Sequence, residues 1–158
     1  MRILVVSDTH GENKDLIDTI LDMDKIDFLI HLGDHASDGE KISKILGIHA
    51  FIVRGNCDYD SDYNDYEIVE LAGKKLFLTH GHLYNVRMSL DKLYYKALEM
   101  EADIALFGHT HISMNIVHDN LIIMNPGSPS LPRGDANIKT IGLIEIDEEI
   151  STEIISIS

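Results

Sequence analysis

Residues 1–10 read MRILVVSDTH, and this stretch is the basis for the fold that we predict. The run from Ile3 to Val6 is short and apolar, as expected of a strand that is buried on both faces. Asp8 and His10 follow it directly. Residues two apart in an extended segment point to the same side, so this carboxylate and this imidazole are expected to converge, as metal ligands must. Alternatively, both residues cap the helix that follows.

The rest of the chain alternates short apolar runs with amphipathic segments. Hydrophobic periodicity predicts helices over 13–23, 38–46 and 88–100, of which the last is the longest. The same analysis predicts strands over 3–6, 28–32, 50–53, 66–71, 74–79, 104–107, 113–117, 121–124, 138–146 and 152–157. We find no repeat, low-complexity tract or linker. We therefore expect one α/β domain over residues 1–158, with two packed sheets and helices outside them.

The composition restricts the possible partners. The formal charge is −14, because 13 Lys and Arg stand against 27 Asp and Glu. Such a chain repels nucleic acid and anionic membranes, and an anionic substrate would need a local source of positive charge. The only cysteine is Cys57, so no internal disulfide can form, which fits a reducing cytoplasm. No apolar run approaches ~20 residues, so we expect no membrane span and a cytoplasmic protein.

Four further polar motifs follow predicted strands, where the ligands of open α/β sheets bind. They are Gly33-Asp34, Gly55-Asn56-Cys57-Asp58, His80-Gly81-His82 and Gly108-His109-Thr110-His111. Each of them alone also fits a turn or a hydrogen-bonded structural histidine. Together they place carboxylate, amide and imidazole groups repeatedly at strand ends, which favours a metal centre. A donor set without thiolate suits Mn, Fe, Co, Ni or Zn rather than Ca.

In their order, these motifs resemble those of the calcineurin-like metallophosphoesterases, and Asn125-Pro126-Gly127-Ser128 resembles the small single-domain phosphodiesterase branch of that family. The resemblance implies a four-layer α/β/β/α sandwich with two mixed β-sheets. It also implies two divalent metal ions, with manganese expected first and nickel, iron, cobalt or zinc as alternatives. By the resemblance, one ion would be held by Asp8, His10 and His111, the other by Asn56, His80 and His109, and Asp34 would bridge the two.

The implied activity is hydrolysis of a small phosphate ester, with a diester favoured. Two metal ions about 3.5–4 Å apart can lower the pKa of a shared water toward ~7, so that a bridging hydroxide attacks phosphorus. Many relatives have a histidine after the asparagine of the third motif, where this chain has Cys57. The candidate catalytic residues are therefore His82, Cys57 and Asp58, and His82 or a water molecule is expected to protonate the leaving group.

Two other functions fit the same sequence. A phosphomonoesterase or nucleotidase would use the same residues, since the sequence does not measure the size of the pocket. A non-catalytic scaffold of the same fold is expected to lack metal ligands, whereas every expected ligand position is filled here. Arg133 either contacts the substrate or is an ordinary residue of a surface loop. A homo-oligomer is possible.

Overall fold

The computed structural model describes residues 1–134 and 136–158. In chain order the elements are β1 (Arg2–Val6), α1 (Lys14–Leu21), β2 (Phe28–His31), α2 (Ala36–Leu46), β3 (His49–Ile52), β4 (Tyr66–Leu71), β5 (Lys74–Thr79), a 3-10 turn (His82–Tyr84), α3 (Asp91–Glu99), β6 (Ile104–Leu106), β7 (Met114–His118), β8 (Leu121–Asn125), β9 (Thr140–Ile146) and β10 (Ile150–Ser156).

The ten strands form two mixed sheets of five strands each. The first sheet has the order β10-β9-β1-β2-β3, and the second has the order β4-β5-β6-β8-β7. In the first sheet β1, β2 and β3 run parallel, and β9 and β10 are antiparallel to their neighbours. In the second sheet β5, β6 and β8 run parallel, with antiparallel strands at both edges.

Three apolar clusters hold the layers together. One lies between the two sheets, and the other two lie between a sheet and the helices that cover its outer face. Ile3 and Val5 of β1 face the second sheet, where they share a core with Leu78 and Leu106. Alternate residues of β1 point the other way and pack against α1 and α2. The outer face of the second sheet packs against α3. This arrangement confirms the predicted four-layer sandwich, and it explains why β1 is apolar at consecutive positions.

The parallel strands bring the polar motifs to one edge of the sandwich. The three motifs after β1, β2 and β3 come from the first sheet, and those after β5 and β6 come from the second. Backbone bonds join neighbouring loops, from Asp8 N–H to Gly33 O at 3.0 Å and from Gly108 N–H to His80 O at 2.8 Å. Side-chain bonds also cross between the sheets, for example from His80 Nδ1 to the carbonyl of Leu32 at 2.8 Å.

The sequence located every strand, but its prediction for the helix over 88–100 was wrong in extent. This helix begins only at Asp91, and α2 is longer than it. Asn85 adopts the left-handed conformation with φ +53°, and it ends the 3-10 turn before the chain turns again. Met88, the first residue of the predicted helix, lies outside α3 and is 79% exposed. Apolar periodicity alone does not reveal such a break, because turn residues can continue the same spacing.

The helices of the described residues are all too short or too polar to cross a lipid bilayer.

Candidate metal centre

Asp8 anchors the centre at the end of β1, where its side chain is completely buried. Its Oδ2 accepts hydrogen bonds from the Ser7 hydroxyl at 2.6 Å and from the His109 backbone N–H at 3.0 Å. These two donors leave Oδ1 pointing into the site, 3.1 Å from His111 Nε2. The carboxylate is thus held in one orientation with one free oxygen.

Four of the predicted ligands form a compact group. Asp8, His10, Asp34 and His111 each present one ligand atom, and these four atoms lie within 4.8 Å of one another. His111 is oriented from behind, because its Nδ1 donates to the carbonyl of Leu131 at 2.7 Å. Its Nε2 therefore faces the site. We call this group the first half-site.

The remaining predicted ligands form a second half-site next to the first. Asn56 Oδ1 lies 3.0 Å from His80 Nε2 and 3.0 Å from His109 Nδ1. Asp34 lies between the half-sites, since its Oδ1 is 3.5 Å from His80 Nε2 and its Oδ2 is 3.8 Å from His10 Nε2. The structure thus brings the side chains of all seven predicted ligands together.

The donor and acceptor balance of the centre fits a bound cation. His80 and His111 both donate through Nδ1 to a backbone carbonyl, so in a neutral ring the inward Nε2 carries only a lone pair. Each then faces an oxygen acceptor, Asn56 Oδ1 or Asp8 Oδ1. Asp8 Oδ1 and His10 Nε2 are buried and have no hydrogen-bond partner among the described residues. Buried polar atoms of this kind are costly unless a proton or a metal ion satisfies them.

The pKa values of the ligands reflect the same crowding. Burial raises the pKa of Asp8, but the close contact with His111, the charge of His80 and the Ser7 hydroxyl outweigh it and lower this pKa to about 2. Burial lowers the pKa of His111, yet the nearby carboxylate of Asp8, with Oδ1 3.1 Å from His111 Nε2, raises it above the ordinary value. Burial, with the charges of His80 and Arg87, lowers the pKa of His109 to about 4. Asp8 is therefore anionic and His109 neutral at pH 7, which are the protonation states that bind metal.

The loops that carry the ligands are strained. Five of the seven ligands have a left-handed backbone, with φ between +50° and +70°: Asp8, His10, Asp34, His109 and His111. Each such residue costs of order 1–3 kcal/mol, so the surroundings must hold it in place. The close approach of neighbouring loops helps to hold these residues in their left-handed conformation. A Cβ on Gly108 would lie 2.0 Å from Ser7 Oγ, and a Cβ on Gly55 would lie 2.2 Å from Asp34 Oδ1.

A buried polar network supports the first loop. The Thr9 hydroxyl donates to Asp38 Oδ2 at 2.7 Å, and the same carboxylate oxygen accepts the Gly11 N–H at 2.9 Å. His31 Nδ1 accepts the Gly33 N–H at 3.1 Å, so its Nε2 carries the proton and donates to Thr9 Oγ1 at 3.0 Å. Burial lowers the pKa of His31 to about 4, consistent with this neutral tautomer. Sequence reasoning gave no role to Asp38, because its partners are distant along the chain.

A second support comes from the loop after β8. Asn125 Nδ2 donates to the carbonyl of Gly108 and to Thr110 Oγ1, both at 3.0 Å. Ser128 Oγ donates to the carbonyl of Asp8 at 2.8 Å. The motif 125–128 therefore holds the first and fifth ligand loops against each other. Its sequence identified the family branch but did not reveal these contacts.

The three candidate catalytic residues occupy different positions around the centre. Asp58 accepts three backbone N–H groups, from Asp34 and Gly55 at 2.8 Å and from Ala36 at 2.9 Å. Cys57 donates its backbone N–H to Asp34 Oδ1 at 2.9 Å, and its side chain is exposed. Burial and the charge of Asp34 raise the pKa of its thiol to about 11.

His82 lies beside the second half-site. Its ring centroid is 5.4 Å from that of His80 and 6.2 Å from that of His109. Burial and the charge of His80 lower the pKa of His82. Its Nδ1 is buried and has no hydrogen-bond partner among residues 1–134 and 136–158. Of the three candidates, His82 is the one whose side chain is an imidazole and lies next to the second half-site.

Comparison with known proteins places this geometry in a family. The sequence model of the calcineurin-like phosphoesterase superfamily domain matches residues 1–149. The probable metallophosphoesterase YsnB of Bacillus subtilis is 38% identical over 135 residues, which cover 84% of this chain and 78% of YsnB. The phosphodiesterase YfcE of Escherichia coli is 28% identical over 174 aligned positions, covering 93% of this chain and 89% of YfcE.

A solved structure agrees with the sequence relatives. The crystal structure of a conserved protein from Streptococcus pneumoniae, described as a predicted phosphoesterase, superposes with a TM-score of 0.83 at 31% identity. The match covers 98% of this chain and 88% of that one. The matched domain, the similar structure and the converging Asp and His side chains agree with one another. This chain therefore belongs to the calcineurin-like phosphoesterase superfamily.

Proposed function

We propose that the protein is a metal-dependent phosphodiesterase that binds two divalent cations, one in each half-site. The observation that carries the proposal is the position of Asp34, whose two oxygens face His80 in one half-site and His10 in the other. A carboxylate so placed can bind both ions at once. Asp8, His10 and His111 would complete the first half-site, and Asn56, His80 and His109 the second.

The charge of the chain supports cation binding as the source of substrate affinity. The chain carries a formal charge of −14, and both carboxylates of the centre are buried. A phosphate diester would be repelled by these carboxylates alone. When bound, two divalent cations supply four positive charges, lower the pKa of a water toward ~7 and stabilise charge on the phosphoryl oxygens. Mn²⁺ is the first ion to test, since the donors are imidazole, carboxylate and amide oxygen.

The chain's own residues fix the geometry of the reaction. Ser7 and the His109 N–H hold the carboxylate of Asp8, and the carbonyls of Leu32 and Leu131 orient His80 and His111. Such hydrogen bonds behind the ligands set the ring orientation and the tautomer that binds metal. The partly exposed side is formed by His10, Asn56 and His109, so a substrate would approach there.

Two considerations favour a diester over the alternatives. The relative YfcE carries the name phosphodiesterase, and it covers most of this chain. A non-catalytic scaffold would not need seven converging ligands, five of them in strained backbone. A phosphomonoester could use the same metal ions, so activity towards both classes of ester has to be compared.

We propose different roles for the three residues named as catalytic candidates. Asp58 is a positioning residue, because three backbone donors occupy its carboxylate and one of them belongs to Asp34. His82 is the proton donor to the leaving group, since its half-buried ring lies beside the second half-site, 6.2 Å from the ring of His109. Cys57 acts through its backbone, and its thiol takes no part in the reaction.

Replacement of either central ligand tests the proposed activity. The variants Asp34→Ala and His80→Ala are expected to lose at least about 100-fold in kcat/KM for bis(p-nitrophenyl) phosphate with Mn²⁺, because each removes a metal ligand. Exposed Asp60→Ala and His118→Ala are the controls and should keep wild-type rates. Circular dichroism would verify folding. Near-normal turnover in both site variants would refute the assignment.

The role of Asp58 is separable by measuring metal affinity. In Asp58→Ala the N–H groups of Asp34 and Gly55 lose their acceptor, so the bridging carboxylate is no longer held. We expect Mn²⁺ affinity, measured by calorimetry, to fall about 10- to 100-fold. Asp60→Ala, a change in the same loop, should leave it unchanged. Wild-type Mn²⁺ affinity together with lost turnover would instead assign Asp58 to the chemical step.

The role of His82 predicts a dependence on the leaving group. A general acid helps most when the departing oxygen is strongly basic, and it contributes about 10²–10⁴-fold. Across aryl phosphodiesters from p-nitrophenyl to phenyl, His82→Ala should lose progressively more kcat/KM, so its plot against leaving-group pKa is steeper than that of the wild type. Cys57→Ala should keep the wild-type slope. Parallel plots for His82→Ala and the wild type would exclude His82 as the proton donor.

A further inference from the structure

A partly apolar cavity of about 460 Å³ adjoins the metal centre. Such a volume suits a small ligand group. Most of its walls are apolar, and two arginines and one threonine are its polar members. The lining residues are Val86, Arg87, Leu90, Phe107, Thr110, Ile112, Met114 and Arg133. We call this space the side cavity.

The side cavity shares its walls with the ligand loops. Thr110 lies between the ligands His109 and His111, and its hydroxyl accepts the Asn125 amide at 3.0 Å. Val86 packs against Gly81, where an added Cβ would lie 3.0 Å from the valine side chain. The cavity therefore begins where the half-sites end. A group esterified to a phosphate at the centre can extend into it.

The arginines of the chain are distributed unevenly. The sequence has four, and two of them line the side cavity. Arg2 pairs with Asp24 and Glu145, both at 3.2 Å, and Arg54 pairs with Asp65 at 2.8 Å.

Arg87 and Arg133 differ from these two. Among residues 1–134 and 136–158, no carboxylate lies within 4.0 Å of either guanidinium. Two arginines that have no such partner within the described ranges, and that lie beside one cavity, are placed to bind an anion.

We infer that the side cavity is a specificity subsite for an ester group that combines an aromatic body with a second anionic group, such as a second phosphate. The apolar walls, including fully buried Phe107, would contact the aromatic body. Arg87 and Arg133, both exposed at the rim, would bind the second anion. The inference rests on the proposed function, because it assumes that the first phosphate occupies the metal centre.

The positive charge near the proposed phosphate position exceeds what one phosphate requires, which is why we include a second anionic group in the ligand. The proposed cations already face the phosphate at the centre with a net charge of about +2 after Asp8 and Asp34 are counted. The guanidinium groups belong to residues that line the cavity in which the ester group would lie. A ligand with one phosphate would leave them without a partner. A ligand with two phosphates would use both sources of positive charge.

Nucleotide binding to the Mn²⁺-loaded protein tests the inference by calorimetry. Adenosine 3′,5′-bisphosphate should bind at least about tenfold more tightly than adenosine 5′-monophosphate, which carries the same aromatic base and one phosphate. In the double variant Arg87→Gln/Arg133→Gln this ratio should fall to about 1–2. Adenosine 5′-monophosphate should in turn bind about tenfold more tightly than ribose 5-phosphate, which lacks the base.

A matched control removes two positive charges elsewhere. Lys14→Gln/Lys44→Gln changes exposed residues of α1 and α2, in the opposite outer layer, and should keep the wild-type ratio. Equal losses for the mono- and bisphosphate in the arginine variant would overturn the inference and assign the arginines to the phosphate at the metal centre. Equal affinity for adenosine 5′-monophosphate and ribose 5-phosphate would refute the aromatic subsite. Absence of Mn²⁺-dependent hydrolysis of bis(p-nitrophenyl) phosphate by the wild type would instead refute the proposed function.

Discussion

The arrangement on which the rest of the structure depends is a group of buried polar atoms without hydrogen-bond partners. Asp8 Oδ1 and His10 Nε2 have no partner among the described residues, and the backbone carbonyls of Leu32 and Leu131 fix His80 and His111 with Nε2 turned inward. An unsatisfied buried polar group costs of order 1–3 kcal/mol, and more where it is charged. Such a group of inward carboxylate and imidazole atoms fits a bound cation. Among the described residues, no lysine or arginine lies within 4.0 Å of the carboxylates of Asp8 or Asp34. These residues therefore offer no lysine or arginine to neutralise the two carboxylates.

The fold assembles this group of polar atoms by bringing loops from two sheets to one edge of the sandwich. Parallel strands place their carboxyl ends side by side, so three ligand loops come from the first sheet and two from the second. Left-handed backbone at five ligands turns the side chains inward, and its cost is offset by a second layer of contacts. Asp38, Asp58 and Ser128 belong to that layer and hold loops that are far apart along the chain. The centre is thus a property of both sheets and of the loop after β8, and no single motif suffices to build it.

The sequence predicted the strands well and identified the polar residues that the structure brings together, because both signals are local. A short apolar run such as Ile3 to Val6 and a His-x-His pair can be recognised without tertiary information. The supporting contacts could not be recognised in this way. Asp58 bonds to Asp34 and Ala36 more than twenty residues earlier, and Ser128 bonds to the carbonyl of Asp8. The helix over 88–100 was predicted too long for a related reason, since the left-handed residue Asn85 and the following turns leave the apolar spacing almost unchanged.

An anomalous difference map from crystals grown with Mn²⁺ would show directly whether Asp34 bridges two ions. We expect two peaks about 3.5–4 Å apart, with the Asp34 carboxylate between them, three further ligands around each, and Asn56 on the side of His80. A single peak, or manganese bound away from these seven residues, would contradict this expectation.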